Sequence, residues 1–147
     1  MEKILIVDDS LVQATQLKAI LADAYDVTIS QTAEDGLSRA SSENYSLILL
    51  DVVMPGMDGF TLLKKLQEEI VTQYVPVILI TSLADVEHEQ HGLVLGAVDY
   101  ITKPFRPPVV KARVNTHIKL YNYRRRLEQQ SMTDQLTGIA NRRKYEH

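Results

Sequence analysis

The sequence contains no cysteine, and this absence excludes several kinds of functional site at once. Without thiols, the chain cannot form disulfides, hold a metal through thiolates or use a cysteine nucleophile. No apolar run approaches the length of about 20 residues that a membrane-spanning helix needs. The net charge of -3 gives no overall indication of nucleic-acid binding.

The 147 residues are enough for one well-packed domain with little left over. No signal peptide precedes the first apolar run, which begins directly after Met1. We therefore expect a cytoplasmic protein that binds neither membranes nor nucleic acid. Two basic clusters, at 124–126 and 142–144, are more typical of a solvated helix face or linker than of a binding site.

Short apolar runs alternate with amphipathic segments along the first 122 residues. Runs typical of strands occur at 3–7, 26–30, 45–50, 75–80 and 98–101. Helical spacing follows each run; Ser10 and Thr32 are suited to cap the first two helices, and Gln13 suits a capping box with Ser10. Five β-α repeats predict a parallel, doubly wound α/β sheet with helices on both faces.

The fifth helix is predicted to be long. Pro107 and Pro108 suit its first turn, and neither glycine nor proline interrupts residues 109–130. Beyond Tyr121 the apolar spacing gives way to charged residues. A connecting helix, a coiled-coil stalk in a dimer and a terminal helix that frays all fit this pattern.

Polar residues follow four of the predicted strands, namely Asp8 and Asp9, Asp51, Thr81 and Lys103. Because ligands of open parallel sheets bind at the carboxyl ends of the strands, we expect these side chains to meet. Three carboxylates in one cleft repel each other and favour a bound cation, and their hard oxygens favour Mg²⁺. Such a site suits phosphoryl transfer to a carboxylate, with Lys103 and Thr81 binding phosphoryl oxygens.

Each of these residues alone has an ordinary structural explanation. An aspartate after a strand can form a turn or cap the next helix, as Thr81 also can, and Lys103 can simply be exposed. Their coincidence at one edge of the predicted sheet is what favours a functional site.

Four segments resemble the successive conserved blocks of the receiver domain of two-component response regulators. They are ILIVDDS at 4–10, LILLDVVMPGMDG at 47–59, VILITS at 77–82 and DYITKPF at 99–105. The resemblance covers residues 1 to about 122. It implies a flavodoxin-like fold of five parallel strands with an extended C-terminal helix. It also implies a regulatory module that is phosphorylated by a histidine kinase or a phosphotransfer protein.

The resemblance implies a role for each acidic residue. Asp51 is similar to the phosphoacceptor, and Asp8 and Asp9 resemble the pair that holds Mg²⁺ together with Asp51 and the backbone carbonyl of Val53. Val53 and Leu83 stand where side chains tune the lifetime of the phosphoryl group. Both are apolar, so neither is expected to position a hydrolytic water.

The resemblance also implies a switch. Thr81 resembles the hydroxyl that moves towards the phosphoryl group, and Tyr100 resembles the aromatic residue that turns inward with it. Lys103 resembles the phosphoryl-binding lysine, whose peptide bond to Pro104 is usually cis in the family. The switch is expected to remodel the face of the fourth helix, fifth strand and fifth helix, through which the family commonly forms homodimers.

The tail carries a second resemblance. The segment DQLTGIANRR at 134–143 is similar to the opening of a GGDEF diguanylate cyclase domain. We therefore divide the chain into a receiver domain (1–122), a linker helix (123–133) and an incomplete GGDEF-type fragment (134–147). The catalytic GGDEF loop is not in this sequence, so the chain itself is not expected to be an enzyme, whereas a longer parent would make cyclic di-GMP. A chance polar tail is the alternative.

Two other functions fit part of the pattern. Phosphatases of the haloacid dehalogenase class also form an aspartyl phosphate, but they need a DxD motif and a cap insertion. Here Asp8 is followed by Asp9 and Ser10, and no insertion is apparent. The other alternative is an interaction module that keeps the receiver fold and is never phosphorylated.

Overall fold

A computed structural model describes residues 1–54, 56–82 and 86–137, without the side chains of 86–89 and 129–137. Strands and helices alternate along these residues. In chain order they are β1 (Lys3–Val7), α1 (Leu11–Leu21), β2 (Asp26–Ser30), α2 (Ala33–Ser42), β3 (Leu47–Asp51), α3 (Gly59–Glu68), β4 (Val77–Ser82), α4 (Val86–Leu95), β5 (Asp99–Lys103) and α5 (Pro107–Thr137).

The strands form one parallel sheet in the order β2-β1-β3-β4-β5. This arrangement confirms the predicted doubly wound, flavodoxin-like fold. From β1 the chain first runs outward to β2 and then returns to β3 on the other side of β1. The carboxyl ends of β1 and β3 therefore flank the topological switch point, where ligands of such sheets bind.

The predicted ends of three strands were wrong by one or two residues. Asp51, Thr81 and Lys103 were predicted to lie just after their strands, whereas each lies within the last residues of its strand. The strands continue because the backbone ladder continues, since Asp51 is paired with Ile80 and Thr81 with Thr102. A polar side chain ends the apolar run but does not interrupt main-chain hydrogen bonding.

The core has two layers, one on each face of the sheet. Ile4 and Ile6 of β1 pack with α1 and α5, whereas Leu5 and Val7 pack with α2 and α3. Consecutive residues of β1 thus serve opposite faces, as the two-residue period of a strand requires. Burial on both faces holds the strands rigidly and fixes the positions of the residues at their carboxyl ends.

Side-chain caps set the start of the helices. The hydroxyls of Ser10 and Thr32 accept the predicted hydrogen bonds at the starts of α1 and α2, and Asp58 caps α3. The Ser10 hydroxyl bonds the backbone N–H of Gln13 at 3.3 Å. The backbone N–H of Ser10, however, donates to the Asp8 carboxylate at 2.9 Å. The second hydrogen bond of the predicted capping box, from the Ser10 N–H to the Gln13 side chain, was therefore wrong, because Asp8 takes that N–H instead.

Helix α5 runs without a break from Pro107 to Thr137. Its first half packs on the sheet through Val110, Val114 and Ile118. Further on, the side-chain amide of Asn122 donates to the carboxylate of Glu2 at 2.6 Å. The boundaries proposed at 122/123 and 133/134 lie within this helix and stay predictions, and residues 138–147 of the GGDEF-like segment lie outside the described residues. Within the described part of the chain, no helix has the length and apolarity to cross a membrane.

Gly59, the first residue of α3, packs directly on the end of β3. Its N–H donates to the Val52 carbonyl at 3.0 Å. A methyl group at this position would overlap the Asp51 carbonyl oxygen and lie 2.8 Å from the Val52 Cα. Only glycine therefore allows the helix to approach the strand so closely.

We predict that Gly59→Ala lowers the free energy of unfolding by about 1–3 kcal/mol, because the backbone of β3 or α3 must move. Chemical denaturation measures this change. The matched control is Ser38→Ala, at an exposed position of α2, which should change stability by less than about 0.5 kcal/mol. An alanine at 59 that stabilises the protein, as it does at an ordinary helix position, would contradict the packing described.

Candidate functional site

The carboxyl ends of β1, β3, β4 and β5 frame a cleft of about 280 Å³. Most of the residues predicted to form the site line it: Asp9, Asp51, Val53, Thr81 and Lys103. The Lys103–Pro104 peptide bond beside the cleft is cis, as the resemblance implied. Residues far apart in the sequence thus meet at one edge of the sheet.

Three carboxylates form the acidic part of the site. Asp8, Asp9 and Asp51 each offer an oxygen within 4.8 Å of the others. Asp8 is fully buried, and Asp51 is 5% exposed, whereas Asp9 is exposed. One oxygen of Asp8, Oδ2, is buried without a hydrogen-bond partner among the described residues. A buried acceptor without a donor is costly, so this oxygen is well suited to a cation.

The environment of Asp51 strongly disfavours its negative charge. Burial raises the pKa of its carboxyl to about 7, and the nearby charge of Asp8 acts in the same direction. Two groups lower the pKa of Asp51. The Nζ of Lys103 lies 3.8 Å from Asp51 Oδ1, and the backbone N–H of Val53 donates to the same oxygen at 3.3 Å. Because these two groups only partly offset the burial, additional positive charge is needed to stabilise the ionised carboxylate.

The two proposed switch residues occupy different surroundings. Thr81 is buried and lines the cleft, near the end of β4. Tyr100 lies on β5 opposite Leu79 and packs partly buried against the core on the α2 and α3 face. It does not line the cleft. Leu83, expected to flank the site, lies outside the described residues.

Five further residues line the cleft: Ser10, Gln13, Val52, Ile80 and Ser82. Of these, Ser10 and Gln13 are the two polar residues that come from the start of α1. Ser10 and Gln13 were predicted only as parts of the cap of α1. One sequence signal could have identified Gln13 as a cleft residue: it lies in the first turn of a helix that begins just after Asp8, Asp9 and the cap residue Ser10. In that turn, a side chain that is not used in capping can face the carboxyl ends of the strands.

Comparison with known proteins identifies relatives over the receiver part of the chain. It shares 40% identity over 115 residues with response regulator PleD of Caulobacter vibrioides, and 37% over 116 residues with a protein of Vibrio cholerae named "Probable cyclic di-GMP phosphodiesterase". It shares 40% over 119 residues with the transcriptional regulatory protein CiaR of Streptococcus pneumoniae. These alignments cover 78%, 79% and 81% of this chain, but only 25%, 26% and 52% of PleD, the Vibrio protein and CiaR.

Solved structures share the same architecture. A receiver domain protein from Methanospirillum hungatei superimposes with a TM-score of 0.77 at 30% identity, covering 84% of this chain and 98% of that one. Chemotaxis protein CheY4 of Vibrio cholerae superimposes with a TM-score of 0.74 at 28% identity, covering 79% and 98%. Nearly the whole length of each of these two solved chains therefore matches this chain.

The family model for the response regulator receiver domain matches residues 4–115. This range contains β2 to β5, all of β1 except its first residue, and all three acidic residues of the cluster. The match agrees with the strand order, the acidic cluster and the relatives found. The chain belongs to the response regulator receiver family.

Proposed function

We propose that this chain is a phosphorylation switch in which Asp51 accepts a phosphoryl group from a histidine kinase or a phosphotransfer protein. The observation that carries this proposal is the buried Asp51 carboxylate, which faces two further carboxylates and the ammonium of Lys103. A carboxylate oxygen of Asp51 would attack phosphorus while the bond from phosphorus to the donor breaks. The product is a mixed anhydride between Asp51 and phosphate.

The acidic cluster is suited to Mg²⁺. Asp8, Asp9 and Asp51, with the backbone carbonyl of Val53, would hold the ion through oxygen ligands only. The buried Oδ2 of Asp8, which has no donor among the described residues, fits this role. When bound, the ion supplies positive charge that offsets the repulsion between the carboxylates and the charge on the transferred group.

The remaining proposed roles fall to β4 and β5. Lys103 would pair with a phosphoryl oxygen, because its Nζ already lies 3.8 Å from Asp51 Oδ1. Thr81 would donate a hydrogen bond to another oxygen from its place in the cleft lining. Tyr100 lies on the neighbouring strand β5, two residues before Thr102, which pairs with Thr81. A movement of Thr81 can therefore be transmitted to Tyr100 through the paired backbones of the two strands. Thr81 and Tyr100 together would form the switch.

Exposed apolar residues beside the cleft support a protein phosphodonor. Leu11 and Val12 of α1 and Val53 are all more than half exposed. Apolar side chains grouped around a charged cleft are typical of a surface that docks another protein.

The proposed output is a homodimer that brings two diguanylate cyclase domains of a longer parent together. Leu93 and Val94 of α4, Val98 just before β5 and Val109 of α5 are exposed apolar residues on the elements that would form the α4-β5-α5 face. The cyclase assignment rests on the segment at 134–143, because relatives of the receiver part include transcriptional regulators as well as proteins linked by name to cyclic di-GMP. A parent sequence without a GGDEF loop beyond residue 147 would contradict it.

We predict that a small phosphodonor with Mg²⁺ adds one phosphoryl mass to the chain, and that Asp51→Asn prevents this. Intact-mass spectrometry measures the change, and omission of Mg²⁺ is the second control. If the folded protein binds Mg²⁺ and gains no mass, the alternative of a non-phosphorylated interaction module is favoured.

In a buffer with a chelator, we predict that Asp51→Asn raises the free energy of unfolding by roughly 2–3 kcal/mol at pH 8, because the mutation removes a buried charge. In the folded protein the pKa of Asp51 is about 7, above its ordinary value of 3.8. Protonation of Asp51 therefore stabilises the folded state fully below about pH 4, and this stabilisation is lost as the pH rises through about 7. The advantage of the mutant should therefore shrink as pH falls from 8 to 4.

Urea denaturation across this pH range tests the prediction. The control is Asp23→Asn, at an exposed carboxylate, which should have little effect. Mg²⁺ should stabilise the unmodified protein more than Asp51→Asn. A mutant that is less stable than the unmodified protein at pH 8 would contradict the electrostatic description.

We predict that phosphorylation increases the dimer fraction, and that Val94→Asp prevents this increase by placing a charge on the α4-β5-α5 face. Val94 is 85% exposed, so the substitution should not unfold the chain. Analytical ultracentrifugation before and after phosphorylation measures the dimer. Ile70→Asp, equally exposed in the α3–β4 loop, is the matched control. Dimerisation that is independent of phosphorylation would rule out the proposed coupling.

A further inference from the structure

Gln13 is a polar residue of the cleft that phosphoryl acceptance leaves without a role. It is the third residue of α1, is partly buried and lines the cleft together with Asp51. Its backbone N–H is used in capping, since it donates to the Ser10 hydroxyl. Its side-chain amide, in contrast, has no hydrogen-bond partner among the residues that the structure describes.

The reason for this unpaired amide lies in the turn before α1. In a capping box, the side chain at this position would accept a hydrogen bond from the backbone N–H of Ser10. That N–H already donates to Asp8 Oδ1 at 2.9 Å. Asp8 thus replaces Gln13 in the cap, and the side chain of Gln13 remains available to the cleft.

The position of Gln13 relative to Asp51 suits a role in hydrolysis. Asp51 is buried, at the end of a central strand, so a phosphoryl group on it must extend outward into the cleft. A water that displaces the aspartate must approach phosphorus from the side opposite the Asp51 oxygen, which is the open side of the cleft. Gln13 belongs to the wall of the cleft that α1 supplies.

The chemistry of the other lining residues makes an amide useful here. Among the other lining residues, Val52, Val53 and Ile80 have no polar side-chain atom, and the Ser10 hydroxyl accepts the Gln13 N–H. Ser82 lies next to Thr81 at the end of β4, on a different element from α1. Lys103 and Thr81 are assigned to phosphoryl oxygens. An amide can accept a hydrogen bond from water through its oxygen and donate one through its nitrogen, so it can orient water without acting as a base.

We propose that the side-chain amide of Gln13 positions the water that removes the phosphoryl group from Asp51, and so sets the lifetime of the phosphorylated state. The proposal rests on phosphorylation of Asp51 as proposed above. The water oxygen bonds to phosphorus while the bond from phosphorus to the Asp51 oxygen breaks. Asp51 leaves as a carboxylate, the product is inorganic phosphate, and the proton of the water passes to phosphate or solvent. Gln13 is thus a positioning residue.

The test is the decay of phosphorylated Gln13→Met, a variant that keeps the length and helix preference of the side chain and removes its amide. The chain is phosphorylated with acetyl phosphate and Mg²⁺ and rapidly desalted into buffer with Mg²⁺, and the phosphorylated fraction is followed by intact mass. We expect the decay rate constant to fall about five- to tenfold, the effect of one lost hydrogen bond. The rate of phosphoryl uptake, Mg²⁺ affinity and thermal unfolding should not change.

Gln16→Met is the matched control, because Gln16 is the same residue type, exposed on the same helix and absent from the cleft lining. The phosphorylated form of Gln16→Met should decay at the same rate as that of the unmodified protein.

If phosphorylated Gln13→Met decays as fast as the unmodified protein or faster, the proposal is overturned. Parallel losses of phosphoryl uptake and Mg²⁺ affinity in Gln13→Met would also overturn it, because they indicate a structural role. If the unmodified chain gains no phosphoryl group, the proposed function fails, and this inference fails with it. Normal uptake with unchanged decay refutes only the role of Gln13.

Discussion

The mutual repulsion of three carboxylates is the constraint on which the functional edge of this domain depends. Asp8 and Asp51 are almost completely buried at the switch point between β1 and β3, and Asp9 lies beside them. Such a cluster is unfavourable by itself, because burial and the nearby charge of Asp8 both raise the pKa of Asp51. The surrounding scaffold tolerates this cost because strands buried on both faces hold the residues at their ends rigidly. A protein of this size keeps such a cluster at the expense of stability.

The same repulsion gives the site its sensitivity to ligands. A cation or a phosphoryl group changes the local charge where the protein has little solvent to screen it, so a small ligand has a large electrostatic effect. Lys103 reaches the cleft from β5, and Thr81 reaches it from β4, so any rearrangement around Asp51 acts on two strands at once. The exposed residues Val94 and Val98 lie on or next to α4 and β5, so the proposed switch would link the charge at the cleft to that surface.

Much of the site could be predicted from the sequence because strand ends determine it. Asp8, Asp51 and Lys103 follow apolar runs, and sheet topology brings such positions together whatever the details of the loops. Gln13 was not predicted, because the direction of a side chain in a first helical turn depends on which donor the cap uses. That donor, the N–H of Ser10, is bound by Asp8. The ends of the strands were also missed, because side-chain polarity carries little information about where backbone pairing stops.

Helix α5 gives the domain a mechanical property as well as a surface. Its first half is held against the sheet by Val110, Val114 and Ile118, and Asn122 is tied to Glu2 at the amino-terminal edge of the sheet. The 15 residues from Tyr123 to Thr137 continue the helix beyond this contact for about 22 Å. A rotation of about 10° at Asn122 would displace the end of this helical segment by about 4 Å. A rotation too small to alter the core would therefore displace the end of α5 by more than the diameter of a water molecule.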